Sequence, residues 1–159
     1  MLDISFLSNY TPWKKILTSS RKDFKIALEA AFDALDLPKK EFSVAVSFIG
    51  DAEIQQLNAQ YRHKDKATNV LSFPMIDDFS DLKKMPTPII LGDIVIAYET
   101  VLREAQQEDK SLKDHVSHLL IHGLLHLFGY DHMNKKDAKE MEDLEIQILA
   151  EIGISNPYL

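Results

Sequence analysis

The stretch from residue 122 to residue 132 reads His-Gly-Leu-Leu-His-Leu-Phe-Gly-Tyr-Asp-His and combines histidines at helical spacing with a glycine turn. It completes a predicted helix of roughly Leu112–Phe128, whose apolar side faces the core. His122 and His126 are one turn apart, so both imidazoles can reach one ion at the ~2.0–2.1 Å that zinc requires. Gly129 is placed as a C-terminal helix cap at which the chain can reverse. The spacing predicts a metal site at this end of the helix.

Five of the six histidines fall between residues 115 and 132. Four of them lie within about 80° of arc on one helix face: His115, His118, His122 and His126. The pair His118 and His122 has the same spacing as His122 and His126, whereas His118 and His126 lie about 12 Å apart along the axis and cannot share an ion. The glycine turn brings His132 back over the helix end, which favours a ligand set of His122, His126 and His132. Three imidazoles leave a fourth position open, as in catalytic zinc sites; His118 and His115 are expected beside the ligands, with His118 as the alternative ligand.

Asp131 lies between the glycine turn and His132. Its carboxylate can accept a hydrogen bond that fixes a histidine tautomer, or it can handle a proton of bound water. A turn aspartate can equally bond its own backbone. Asp131 is therefore a candidate catalytic residue with a structural alternative.

The rest of the chain predicts an α+β fold, in which about five helices pack on a small mixed β-sheet and carry a zincin-like metal site at a helix followed by a glycine turn. Residues 75–88 contain two prolines and no clear period, and are expected to form a mobile loop. Apolar runs and alternation predict strands at Leu2–Leu7, Phe42–Phe48, Asn69–Phe73 and Ile89–Ala97. Besides Leu112–Phe128, predicted helices run from Thr11 (as N-cap, with a possible break at 18–20) to about Leu35, from an Asp51 cap to about Tyr61, over Tyr98–Glu108 and over Lys135–Ile152.

The composition narrows the class of protein. A chain of 159 residues predicts one domain, residues 1–159. The absence of cysteine excludes disulfides, thiolate metal sites and a cysteine nucleophile. No apolar run approaches the ~18 residues of a membrane span, and the N-terminus lacks the pattern of a secretory signal, so a cytoplasmic protein is expected. A net charge of −7 argues against non-specific coating of nucleic acid.

Charge is unevenly distributed along the chain. Residues 137–151 carry six acidic residues against Lys139, a pattern typical of a solvated helix face. Residues 62–66 carry three basic residues against Asp65. A local basic stretch beside a metal can hold a phosphate, so Arg62 is either a phosphate-binding residue or an ordinary surface arginine.

The 122–132 stretch resembles the signature of the YbeY family, the bacterial metal-dependent endoribonucleases of ribosomal RNA maturation. Further segments follow in that family's order and spacing: Leu57-Asn58, Tyr61-Arg62, Thr68–Pro74 and Leu91–Ile94. One departure is Asn69, where the family more often has aspartate. The change removes a negative charge and keeps a polar acceptor, which leaves the role of this position open.

The resemblance implies a zinc-binding α+β fold and a cytoplasmic, single-strand-specific endoribonuclease. Such an enzyme acts in 16S rRNA 3′-end maturation and in ribosome quality control. By position, one zinc per chain is held by His122, His126 and His132, and Arg62 engages RNA phosphate. The implied partners are single-stranded precursor rRNA and ribosomal small-subunit proteins, with no membrane. Zinc-bound hydroxide and the ribose 2′-hydroxyl are both open as the attacking group.

Two other functions compete with this hypothesis. Zinc peptidases with the same histidine spacing place a glutamate directly after the first ligand as general base. Here that position is Gly123, which disfavours a zinc hydrolase of peptides, amides or esters. The second alternative is a non-enzymatic ribosome-assembly factor with a structural metal.

Overall fold

A computed structural model describes residues 1–130 and 135–159. Within those ranges it contains four strands and five α-helices, with short 3₁₀ turns at Thr11–Trp13 and Leu82–Lys84. The prediction of an α+β fold with a small mixed sheet and about five helices is confirmed. In chain order the elements are β1 (Leu2–Leu7), α1 (Lys14–Asp33), β2 (Phe42–Ile49), α2 (Asp51–Arg62), β3 (Val70–Pro74), β4 (Ile89–Ala97), α3 (Tyr98–Gln107), α4 (Leu112–Leu127) and α5 (Lys135–Glu151).

The sheet has the order β1-β2-β4-β3. Strands β1, β2 and β4 are parallel to one another, and β3 runs antiparallel to β4 at the edge. Gly92 allows β3 to come close, because its φ is 137° and a Cβ there would lie 2.2 Å from the carbonyl oxygen of Phe73. The antiparallel edge strand also contacts α4. Through it, the chain around residues 62–74 reaches the histidine-bearing helix.

The apolar side of α4 is buried against the sheet and α1. Leu120 and Leu124 are completely buried on this side. Gly123 permits a close approach to β4, since a Cβ at that position would lie 3.0 Å from Cγ2 of Ile94. The histidine-bearing side of α4 therefore faces away from the sheet, toward α3 and α5.

Both ends of α4 are capped by local hydrogen bonds. At its start, the Ser111 side chain accepts the backbone N–H of Asp114 at 3.1 Å. At its end, Gly129 has a φ of 91° and donates to the carbonyl of His126, while Tyr130 donates to that of Leu125. This pairing is a Schellman motif. It confirms the prediction of Gly129 as the C-terminal cap.

The start of α1 differs from the prediction. Thr11 lies inside the 3₁₀ turn, and the N-cap residue of α1 is Trp13, without a side-chain cap. The helix then continues unbroken through residues 18–20. Thr18 is accommodated because its hydroxyl donates to the carbonyl of Lys14 at 2.8 Å, one turn earlier in the helix.

Asp51 also has a different role from the predicted cap of α2. It is the first residue of that helix, and Gly50 is the N-cap. The Asp51 carboxylate instead accepts the backbone N–H of Thr100 at 3.0 Å and the Thr100 hydroxyl at 2.7 Å. Glu99 in turn accepts the N–H of Asp51 at 2.8 Å. The two helix starts cap one another because the parallel strands β2 and β4 end side by side.

The segment 75–88 contains no strand or α-helix, as expected for a loop, but Ile76 and Leu82 are buried in the core. These two side chains anchor the segment to the molecule.

In the part of the chain that the structure describes, no helix combines the length and hydropathy needed to cross a bilayer.

Candidate functional site

His122 and His126 face one another on the outer side of α4. Their Nε2 atoms are 3.0 Å apart and their ring planes are inclined by 78°. Two nitrogens bound to one tetrahedral zinc lie roughly 3.3 Å apart, given Zn–N distances of about 2.0–2.1 Å. The two side chains therefore point to one place, and their nitrogens lie close to the separation of two zinc-bound imidazoles.

Glu145 of α5 contacts the other side of the His122 ring. Its Oε2 lies 3.1 Å from Nδ1 of His122, and its side chain is completely buried. Burial alone would raise the pKa of Glu145, but hydrogen bonds from His118 and His122 outweigh that effect and hold this pKa at about 2. A carboxylate can only accept, so the His122 ring donates its Nδ1–H. That tautomer leaves the lone pair of Nε2 directed toward His126.

His118 lies one turn before His122 and contacts the same carboxylate. Its Nε2 is 2.5 Å from Oε1 of Glu145, and the Tyr158 hydroxyl donates to that oxygen at 2.9 Å. Burial and the charge of Glu145 raise the pKa of Tyr158, so the phenol keeps its proton. Of the two equally spaced histidine pairs, the geometry thus favours His122 with His126 and places His118 beside them.

His115 belongs to a different cluster. Its ring is nearly buried, with Nε2 2.9 Å from Oε1 of Glu104. The Asn69 amide donates to both oxygens of the same carboxylate at 3.1 and 3.2 Å. Burial alone would raise the pKa of Glu104, but the hydrogen bonds from His115 and Asn69 have the larger effect and hold this pKa below its ordinary value. His115 and Glu104 therefore hold Asn69 in place, rather than adding to the histidine pair.

Arg62 lines the same cleft as the histidine pair. The cleft has a volume of about 480 Å³ and is bordered on its other side by residues 68–72 and Pro74. Arg62 lies at the end of α2, where its Nη2 donates to the carbonyl of Ser72 at 2.7 Å. Its guanidinium carbon lies 5.1 Å from the centre of the Phe73 ring. These contacts hold a permanent positive charge in the cleft that contains both imidazoles.

The position after His122 is turned away from the cleft. A side chain on Gly123 would point at Ile94 of β4, and the Gly123 carbonyl accepts the Ser72 hydroxyl at 3.0 Å. The place at which zinc peptidases carry a general base is therefore packed against the sheet here.

The predicted third ligand, His132, and the candidate catalytic Asp131 lie outside the described residues. Among residues 1–130 and 135–159, no group of three or more histidine, aspartate or glutamate side chains is arranged to hold a metal. Of the predicted zincin-like site, the described residues therefore contain only α4 with the facing imidazoles of His122 and His126.

Two polar residues of the site, Glu145 and Tyr158, were missed by the sequence analysis. Glu145 was included in the solvated acidic face of residues 137–151, and this is wrong because its side chain is fully buried. A signal was available, since Met141, Ile148 and Leu149 mark one side of α5 at helical spacing and Glu145 falls on it. A carboxylate on a buried stripe requires partners, which here are histidines.

Comparisons with known proteins show which family this chain resembles. The family profile of Endoribonuclease YbeY matches residues 8–153. An Endoribonuclease YbeY of Agrobacterium fabrum is 53% identical over 137 residues, which cover 82% of this chain and 80% of that protein. One from Francisella philomiragia is 51% identical over 119 residues and 73% of each chain.

A solution structure of a Thermotoga maritima protein shares the fold at 24% identity. Its TM-score is 0.54, and the alignment covers 96% of this chain and 91% of that one. The profile match spans most of the chain, and the Agrobacterium and Francisella proteins are more than 50% identical to it over most of its length. This chain therefore belongs to the Endoribonuclease YbeY family.

Proposed function

We propose that this protein is a zinc-dependent endoribonuclease that cleaves single-stranded RNA. The observation that carries the proposal is one cleft in which two imidazole nitrogens converge and an arginine supplies positive charge. The names of the sequence relatives support the choice of RNA as substrate. The resemblance of the 122–132 stretch extends the proposal to 16S rRNA 3′-end maturation and ribosome quality control in the cytoplasm. The proposed protein partners are ribosomal small-subunit proteins.

The proposed ligands of one zinc ion are His122, His126 and His132. When bound, a zinc ion with an open position supplies a Lewis acid that polarises a phosphoryl oxygen and makes bound water more acidic. The described geometry supports this assignment because the imidazole pair has the nitrogen separation and, at His122, the tautomer that a ligand needs.

Arg62 is proposed to bind the phosphodiester. A guanidinium can donate two parallel hydrogen bonds to phosphate oxygens and offset the charge that develops on them in the transition state. Asp131 is proposed to hold or move a proton near the metal. These roles apply whether the nucleophile is water or the ribose 2′-hydroxyl.

Peptide hydrolysis is disfavoured by the packing of Gly123 against Ile94. We expect no zinc-dependent cleavage of unstructured peptides by the wild-type protein. Gly123→Glu is expected to disturb the contact between α4 and β4 without raising RNA cleavage. Zinc-dependent peptidase activity of the wild type would contradict the nuclease proposal.

The deciding experiment measures metal content and cleavage of a single-stranded oligoribonucleotide together. The wild type is assayed as purified, after treatment with a chelator, and after zinc is returned. Activity should disappear with the metal and come back with it. His126→Ala should lack both, while His63→Ala, an exposed histidine at the end of α2, is the matched control and should keep both. Chelator-resistant cleavage, or no cleavage by the zinc-loaded wild type, would overturn the proposal.

A further inference from the structure

The Glu145 carboxylate is completely buried beneath the histidine pair. Among residues 1–130 and 135–159, it is the only acidic side chain that is buried. Removing an unpaired charge from water costs several kcal/mol, so a buried carboxylate persists only where donors surround it. The arrangement of those donors indicates what the residue does.

Three donors share the two oxygens of Glu145 unequally. Oε1 receives Nε2 of His118 at 2.5 Å and the hydroxyl of Tyr158 at 2.9 Å. Oε2 contacts Nδ1 of His122 at 3.1 Å. Two partners thus hold one oxygen in place, and the other oxygen is directed at His122. With the carboxylate fixed in this way, the His122 ring has one preferred tautomer and one preferred orientation.

We propose that Glu145 is a positioning residue, which accepts Nδ1–H of His122 and thereby turns the Nε2 lone pair of that ring toward the metal. The inference rests on the proposed function insofar as His122 is one of the ligands. An anionic acceptor on the far nitrogen of a ligating imidazole also makes the ligating nitrogen more basic. Glu145 therefore contributes to metal affinity without touching the metal.

The C-terminal segment is part of this support. The Tyr158 ring packs edge-on against the His118 ring, with centroids 5.5 Å apart. Lys110, at the turn before α4, donates to the carbonyl of Pro157 at 3.2 Å. These contacts hold the Tyr158 hydroxyl over Oε1 of Glu145. Tyr158 is thus connected to the proposed ligand His122 through the Glu145 carboxylate.

The test compares Glu145→Gln with Glu142→Gln. Both replace a carboxylate of α5 by an amide of the same shape, but Glu142 is exposed. Zinc dissociation constants are measured by competition with a chromophoric chelator. We expect Glu145→Gln to bind zinc about 10- to 100-fold more weakly, the usual effect of losing a partner of a metal-bound histidine. Glu142→Gln should match the wild type.

A second measurement reports the positioning directly. Long-range ¹H–¹⁵N correlation spectra of the metal-free protein distinguish the two imidazole tautomers. Wild-type His122 should carry its proton on Nδ1, and Glu145→Gln should show a mixture. A merely structural role for Glu145 would change the thermal stability and leave this tautomer unchanged. The wild-type spectrum alone tests the inference if the variant fails to fold, because a proton on Nε2 of His122 would overturn it.

The outcomes distinguish failure of the positioning role of Glu145 from failure of the proposed function. If the wild type binds zinc tightly and Glu145→Gln has the same affinity and tautomer, the positioning role is wrong and the proposed function stands. If the wild type binds no zinc, the proposed function fails together with the ligand role of His122. Weakened binding with an altered tautomer in Glu145→Gln, and neither change in Glu142→Gln, supports the inference.

Discussion

Two clusters on α4 each pair histidine with a glutamate of a neighbouring helix, but they lead to different parts of the molecule. In the Glu145 cluster (Glu145, His118, His122 and Tyr158), a carboxylate of α5 holds a ring whose other nitrogen faces His126. In the Glu104 cluster (Glu104, His115 and Asn69), a carboxylate of α3 contacts the His115 ring and accepts hydrogen bonds from the Asn69 amide. Asn69 is the residue directly before β3. The difference shows that a histidine on this face gains its role from the neighbouring carboxylate and from what lies beyond it.

The clusters also differ in their exposure to solvent. The Glu145 side chain is completely inaccessible, whereas 31% of the Glu104 side chain is exposed. Water can therefore compensate for part of a lost interaction at Glu104 and for almost none at Glu145. We expect changes in the Glu145 cluster to alter metal binding, and changes in the Glu104 cluster to lower stability and leave zinc binding unchanged.

The largest expected effect is the loss of the metal from His126→Ala. The variant removes one of the two converging nitrogens and should reduce zinc from one equivalent to none. His115→Ala, the matched change in the Glu104 cluster, should keep one zinc and lower the melting temperature. Metal analysis of the purified variants gives the answer. Tight binding of one zinc by His126→Ala, together with its loss from His118→Ala, would show that the other histidine pair holds the metal.

Arg62→Ala is expected to reduce RNA turnover roughly 100-fold, the scale of losing one donor to developing charge. Arg62 lies in the same cleft as the histidine pair but contacts neither cluster, so zinc content should stay at the wild-type level. The free energy of unfolding should fall by about 1 kcal/mol at most, because one exposed hydrogen bond to Ser72 is lost.

Arg62→Lys separates charge from geometry in the same position. It keeps the positive charge and loses the planar fork, so little activity should return. The three proteins are compared on single-stranded RNA at equal zinc occupancy. Equal rates in all three would mean that the phosphate is held elsewhere.

Glu104→Gln should change the acid dependence of stability and leave zinc binding unchanged. Because the pKa of Glu104 is lower in the folded protein than its ordinary value of about 4.5, the folded state binds protons less readily than the unfolded chain. The stability that Glu104 contributes is therefore present at neutral pH and lost as the pH falls below that value. Urea unfolding at neutral and acidic pH should show a weaker acid dependence in the variant. An identical dependence in both proteins would remove the electrostatic role of this cluster.

Tyr158→Phe is the smallest expected change. It removes one donor from Oε1 of Glu145, while His118 still holds that oxygen. We expect zinc affinity to fall about threefold, since roughly 0.5–1.5 kcal/mol is the net contribution of one hydrogen bond. Tyr10→Phe, a phenol that donates to Glu99 far from the cleft, is the control. A loss as large as that of Glu145→Gln would mean that Tyr158 controls the orientation of the carboxylate by itself.

Local sequence signals are sufficient to predict the helix that carries the candidate site. The apolar period of α4 and the Gly129 turn act within a few residues, so pattern and local hydrogen bonding are enough to predict them. The four-residue spacing of His122 and His126 fixes their common face for the same reason. The family resemblance implied a phosphate-binding role for Arg62, and the structure places Arg62 in the cleft that contains His122 and His126.

The surroundings of those histidines depend on contacts between distant parts of the chain. Glu145 comes from a helix 23 residues further along, and Tyr158 from the end of the chain. Asp51 looks like the cap of its own helix, yet its carboxylate caps α3. Local preference cannot predict these partners, because a buried carboxylate is stabilised by whichever donors the packing of distant elements brings within about 3 Å.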